Sequence, residues 1–292
     1  MYKIWFISLS YSLNDKDIQL LNNNVEFLKN RWYNILIHWS CYNKYKNWYL
    51  AGENKLLAEE FKNFLTNDFD AIFFTKWGFY VHSILKYLNN LNKNIKTKFF
   101  GFSDYSSLLL YLWNKFWYDT YYWLDWLYWI KENIELIEDI LCGNYYLKFN
   151  FNNIDDFLYK GNVPNGIFIW WITENLLLTL KILDIDLKNK VLFLENLWWV
   201  WVFEWYLQFL KYFKNFDKIS GLIFGADDIY LNWDVPYKID KNKKISFPNY
   251  KGRYFYSVID DLWVNNVILT NHLWHWLKNY IFKYWYYYEW NI

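Results

Sequence analysis

Residues 71–85 read Ala71-Ile72-Phe73-Phe74-Thr75-Lys76-Trp77-Gly78-Phe79-Tyr80-Val81-His82-Ser83-Ile84-Leu85. The apolar run that opens this stretch, closed by a β-branched Thr75, has the continuous pattern of a strand buried on both faces. Ile84, Leu85 and, further on, Leu88 recur at helical spacing, so a helix is expected over 81–91. Between strand and helix stand Lys76, Trp77 and Gly78, where a tight turn calls for small residues. An indole is out of place there. A strand that passes through a turn into a helix is the repeating unit of a parallel sheet, and this stretch therefore decides the fold class.

The same alternation extends on both sides. Ile4-Trp5-Phe6-Ile7 reads as a first buried strand, and apolar runs at 33–38 and 98–102 repeat the pattern. Leu56, Leu57, Phe61, Phe64 and Leu65 mark a helix within 53–66. A second helix is expected over 106–116, for which Ser103-Asp104 makes a good N-cap. A third, over 128–141, carries Glu132, Glu135, Glu138 and Asp139, which form a solvated face. The fold class expected is α/β: an N-terminal parallel-sheet domain over 1–142, a turn-rich linker over 143–165, and a smaller α/β or β-rich domain over 166–292. In that second domain, strands are expected at 190–194, 219–224 and 265–270, a helical stretch at 203–213, and a polar loop around 238–253.

The chain has 22 tryptophans and only 9 glycines in 292 residues. Trp117 follows an apparent helix end, and doublets occur at Trp170-Trp171 and Trp198-Trp199. Such positions usually need φ > 0 or close backbone approach, which a large side chain does not permit cheaply. Taken together, Gly and Trp make up about a tenth of the chain, close to an ordinary glycine load. Many of these Trp codons are therefore read as UGA decoded as glycine. The alternative is a chain genuinely rich in Trp that lines a carbohydrate- or peptide-binding surface with aromatic rings. Lys, Asn, Ile, Tyr and Phe are abundant while Arg31 and Arg253 are the only arginines, as in a low-GC source.

With 31 basic and 30 acidic residues the formal charge is +1, which gives no footprint for nucleic acid or an anionic membrane. Cys41 and Cys142 form no CxxC pair, so neither a disulfide framework nor a zinc site is expected, and a reducing cytoplasm fits. The N-terminus lacks a small-residue cleavage site, and no stretch reaches the ~20 apolar residues of a spanning helix. A soluble protein is expected.

Read with Trp as Gly, 71–85 resembles the LD-carboxypeptidase family, serine peptidases that trim murein tetrapeptides and include the microcin C self-immunity peptidases. The family pattern there is Ala-Ile-Phe-x-x-Arg-Gly-Gly-Tyr-Gly-Ser-Asn-Arg-Leu-Leu, with the nucleophilic serine at the elbow. Trp48-Tyr49-Leu50-Ala51-Gly52 is similar to its Gly-Tyr-Leu-Ala-Gly, Gly101-Phe102-Ser103-Asp104 to its Gly-Tyr-Ser-Asp, and Ile169-Trp170-Trp171 to its Ile-Gly-Gly. The stretch 117–123 resembles the run from its Thr-Gly to its Tyr-Gly-Pro. The resemblance implies a flavodoxin-like N-terminal domain and an active site between the two domains. It puts the triad glutamate on Glu195, at the end of Val191-Leu192-Phe193-Leu194-Glu195-Asn196, and the base on His275, within Leu273-Trp274-His275-Trp276. It puts substrate-binding and oxyanion roles on Trp77, Gly78, His82, Ser103 and Asp104.

The family's serine falls on Val81, its preceding glycine on Tyr80 and its basic residue on Lys76. Ser83 is a possible substitute nucleophile, but it lies about 200° further around a helix. Ile172 stands where the family has asparagine. The implied reaction is acyl-enzyme hydrolysis of the L,D amide of murein tetrapeptide, with no cofactor and no metal, a peptide or muropeptide as partner, and a homodimer left open. The alternative is a non-catalytic muropeptide- or peptide-conjugate-binding immunity protein on the same fold. Without the family, Glu195 reads as a surface residue ending a strand, and His275 as a packed histidine like His38, His82 and His272.

Overall fold

The computed structural model describes residues 1–92, 95–123, 126–145, 157–161, 165–172, 179–195, 208–225, 264–270, 281–283 and 287–288. The chain divides into two compact units, Met1–Leu147 with Lys278–Tyr284, and Lys148–Leu277 with Trp285–Ile292.

The first unit is built on β1 (Lys3–Ile7), β2 (Asn34–Ile37), β3 (Ala71–Phe74), β4 (Lys98–Gly101) and β5 (Asp119–Trp123). These pair in parallel in the order 5-4-3-1-2. That is the flavodoxin-like arrangement, in which strand order reverses between β1 and β3. The central strands carry the expected apolar runs, and all four residues of β3 are buried. Around them run α1 (Asp15–Asn30), α2 (Lys46–Tyr49), α3 (Asn54–Phe64), α4 (Tyr105–Phe116), α5 (Trp126–Trp129) and α6 (Ile134–Leu141). On α6, Glu135 and Asp139 are exposed as expected, while Glu138 pairs with Arg31 at 3.1 Å and accepts from the Tyr33 hydroxyl at 2.8 Å.

The second unit is a mixed six-stranded sheet. Its parallel centre is β7 (Gly166–Ile172), β8 (Lys190–Glu195), β9 (Gly221–Gly225) and β10 (Val267–Thr270). Antiparallel edges are added by β6 (Phe157–Lys160) on β10 and β12 (Tyr287–Tyr288) on β7. Register sets Ile172, Glu195, Gly225 and Thr270 in one row across the carboxyl ends of the four parallel strands. Of the helical stretch expected at 203–213, residues 208–213 are described: 208–210 are helical, and 211–213 leave the helix in a turn. The loop at 238–253 lies outside the described residues.

Three expectations need correction. The helix over 81–91 is instead a pair of 3-10 turns, Val81–Ser83 and Leu85–Tyr87. The Ser83 hydroxyl donates to the Tyr80 carbonyl at 2.6 Å, a local bond that competes with helix continuation. The expected linker 143–165 contains β6, a sheet strand. The C-terminal range 166–292 gives β11 (Ile281–Lys283) to the first sheet, where it covers the β5 edge in antiparallel fashion. Among the described residues no helix is long and apolar enough to cross a membrane.

Candidate functional site

Ligands of open α/β sheets collect at the carboxyl ends of strands, where strand order reverses. In the first unit that place lies between β1 and β3. The chain leaves β1 through Ser8, Leu9 and Ser10, all buried, and leaves β3 through Thr75 and the turn 76–83. β4 delivers Phe102, Ser103 and Asp104 to the same edge.

Gly78 is required by close approach. A Cβ there would stand 2.4 Å from Tyr11 Cδ1 and 2.6 Å from Ser10 Oγ. Its amide donates to Asp104 Oδ1 at 3.0 Å, the Ser10 hydroxyl donates to Oδ2 at 2.7 Å, and the Val81 amide reaches Oδ2 at 3.4 Å. The Tyr80 backbone amide also bonds this carboxylate. Asp104 is 1% exposed, and burial pushes its carboxyl up to about 6 even though these donors pull it down. Asp104 has helical backbone angles and makes no side-chain cap bond to α4. The N-cap expectation is thus corrected: the carboxylate turns from its own helix to amides of another loop. The same contacts occupy the Gly78 amide, which is not free for an oxyanion in this arrangement.

Ser103 is left-handed at φ 57, and its amide donates to the Tyr122 hydroxyl at 3.1 Å. Lys76 pairs with the buried Asp17 of α1, whose Oδ1 also accepts from the Tyr128 hydroxyl at 3.1 Å. The Trp77 ring meets Phe102 edge-on at 6.4 Å. Val81 is fully buried and brings no hydroxyl. Ser83 accepts from the Asn54 side-chain amide while donating to Tyr80, so its hydroxyl is engaged on both sides. His82 is half-buried, and burial pulls its imidazole below the ordinary range, which leaves it neutral at pH 7. Its Nδ1 has no partner among the described residues.

An aromatic rim at this edge escaped the sequence reading. Tyr11 lies 5.4 Å from Tyr49, 6.4 Å from Phe79 and 6.0 Å from Tyr80, and Tyr49 lies 6.2 Å from Tyr80. Tyr49, Phe79 and Tyr80 are exposed. The signal was available as aromatic residues just past two neighbouring strands and at the end of α2. His38 is structural: its Nδ1 lies 2.8 Å from Ser40 Oγ, its Nε2 lies 2.8 Å from Glu60, and burial lowers its pKa against that carboxylate.

In the second unit Glu195 closes β8, between Ile172 and Gly225. His272 and His275 lie outside the described residues. They follow Thr270, the end of β10, whose row contains Glu195. Among the described residues, no group of three or more His, Cys, Asp or Glu could hold a metal.

Residues 4–122 match the profile of the LD-carboxypeptidase N-terminal domain. The fold is similar to that of the microcin C7 self-immunity protein MccF, with a TM-score of 0.73 and 18% identity over 97% of this chain and 91% of that one. A MccF-like protein from Bacillus anthracis str. Ames gives 0.71 and 17% over 97% and 91%. One from Streptococcus pneumoniae, in complex with AMP, gives 0.73 and 17% over 97% and 94%. At these identities the likeness carries the fold alone. A search of curated protein sequences finds no match.

Proposed function

We propose, from a chain whose residues 4–122 belong to the LD-carboxypeptidase family, that the protein binds peptides bearing an amide between an L-centre and a D-amino acid, murein tetrapeptide foremost, and hydrolyses them slowly or not at all. The observation that carries this reading is that Val81, to which the family resemblance assigns the nucleophile's position, is fully buried in the turn after β3. Acylation needs a hydroxyl whose proton an oriented imidazole removes. Valine has none, and the hydroxyls of Ser83 and Ser10 are committed to Tyr80 and Asp104. Glu195 and His275 are the proposed orienting carboxylate and base, supported by the position of Glu195 at the carboxyl end of a central parallel strand. Trp77, His82 and Ser103 are proposed to meet the substrate around the turn. Two free thiols, Cys41 and Cys142, support a reducing cytoplasm as the place of action.

The test measures two quantities on one preparation: tetrapeptide affinity by calorimetry, and D-alanine release. Binding with only residual release is expected. Absence of binding, or release at the rate of an intact serine peptidase, would each sink the reading.

A second reading takes an aminoacyl or peptidyl nucleotide conjugate as the ligand. MccF structures contain glutamyl sulfamoyl guanosine and aspartyl sulfamoyl adenosine. In this chain the exposed rim of Tyr49, Phe79 and Tyr80 favours it, since a flat base stacks on such rings for about 1–3 kcal/mol. Titration with AMP separates the two readings. Saturable binding of AMP that displaces no tetrapeptide assigns the rim to a nucleoside.

A further inference from the structure

We infer that Asp104 is a positioning residue of the turn after β3: its buried carboxylate fills the hollow formed by the amides of residues 78–81 and holds that turn in the shape a ligand's acyl group meets. Successive backbone N–H groups of a turn make a concavity that attracts an anion. Such a hollow ordinarily waits for a ligand. Here the amides of Gly78, Tyr80 and Val81 and the Ser10 hydroxyl converge on the protein's own carboxylate. One side chain of β4's exit loop thereby ties the exit of β1 to the exit of β3.

The carboxylate is itself held. The Tyr105 ring stacks on Phe74 at 4.8 Å, its hydroxyl accepts from the Leu9 amide at 2.8 Å, and the Ser103 amide is fixed on Tyr122. A charged acceptor makes hydrogen bonds about twice as strong as a neutral one. Burial outweighs these donors, so the closed turn holds a proton on Asp104 better than an opened, hydrated turn would. The titratable side chains that interact with the Asp104 charge are Tyr11 from the exit of β1 and Tyr105 from α4. Burial raises both Tyr11 and Tyr105, so neither brings a charge near neutral pH. Loosening of the turn as pH rises through about 6 therefore reports on Asp104.

Only the last step, the meeting with an acyl group, rests on the proposed peptide binding. The experiment separates the two. Amide hydrogen exchange is followed by mass spectrometry on peptides covering 77–83 and, as a control, α6, in the full-length protein and in Asp104→Asn and Ser10→Ala. Tetrapeptide affinity is measured in parallel. At about pH 7.5, Asp104→Asn should speed exchange at 78–81 by roughly tenfold, leave α6 unchanged and weaken the peptide by a similar factor, as expected for orphaned buried donors. Corrected for intrinsic rates, exchange at 78–81 in the parent should slow between about pH 7.5 and pH 5, and Asp104→Asn should lose that pH dependence. Ser10→Ala, which keeps the carboxylate, should retain it. Parental exchange at 78–81 in Asp104→Asn, or equal deprotection of α6, overturns the inference. If that variant does not fold, a parent whose turn exchange ignores pH overturns it instead. If the exchange pattern holds and no tetrapeptide binds at either pH, the inference stands and the proposed function falls.

Discussion

At Trp117 an indole occupies left-handed backbone, φ 62, where the amide closes α4 on Trp113 O at 2.8 Å. Trp32 does the same after α1 at φ 67. Both side chains are largely in solvent, 73% and 78% exposed, so little packing offsets the strain, although the Trp117 ring meets Trp113 edge-on at 4.9 Å. These are helix-end positions that glycine usually fills. Replacing either by glycine should stabilise the fold by about 1 kcal/mol, read from denaturation midpoints. The decoding proposal is stronger still: protein from the native host should carry glycine at most tryptophan codons, and peptide sequencing that returned indoles throughout would end it. The buried tryptophans divide. Trp126 donates to Phe74 O at 2.8 Å and fits as it stands, whereas the indole N–H groups of Trp5 and Trp123 are buried without a partner among the described residues. Asp104 supplies a second prediction at this scale. Its carboxyl is raised from 3.8 to about 6, so the folded state holds the proton better than the unfolded chain does. Its contribution to stability is therefore full below about pH 4 and is lost as pH rises through 6, a difference of roughly 3 kcal/mol. Denaturation midpoints at pH 4.5 and 7.5 should show that component in the parent and not in Asp104→Asn.

The elements that sequence made legible are those whose signal is local. β1 to β4 fall where the apolar runs put them, although β2, at the sheet edge, has no buried residue. α1 was not legible, because Asn22, Asn23 and Asn24 dilute its stripe and two of its buried residues are polar. Asn24 is satisfied by Leu127 O at 2.6 Å and Asp17 by Lys76, partners far away in sequence. The turn 76–83 shows the same limit. Ser103-Asp104 has the local pattern of a cap, yet the strongest demand for its carboxylate comes from amides that only the tertiary fold brings near. Gly78 was read as a turn glycine; its actual constraint is the approach of Ser10 and Tyr11. Gly78→Ala should accordingly cost about 1–3 kcal/mol in thermal unfolding by overpacking. An Ala variant as stable as the parent would mean that the two strand exits are not packed as closely as described.

At the scale of the molecule, edge strands β6, β11 and β12 were missed because they are short and pair with distant segments. The parallel centre of the second sheet was legible, and with it the row holding Glu195, although a glutamate ending a strand carries no catalytic mark by itself. Its proposed partnership with His275 is testable through the missing hydroxyl. Val81→Ser, with Tyr80→Gly to relieve the turn, should raise D-alanine release from murein tetrapeptide, whereas the parent should keep at most the ~10³–10⁴-fold catalysis over water that remains when a triad nucleophile is lost. In that revertant, Glu195→Gln and His275→Ala should each return turnover towards the parental level, and the pair together should cost little more than His275→Ala alone, because triad members act as a unit. Strictly additive losses would mean that the two residues do not share a site. High parental release abolished by Ser83→Ala would reveal a relocated nucleophile, which the bonds of Ser83 to Tyr80 and Asn54 argue against. High release indifferent to Ser83, Glu195 and His275 alike would remove the serine mechanism from this chain and leave only the fold in common with its relatives.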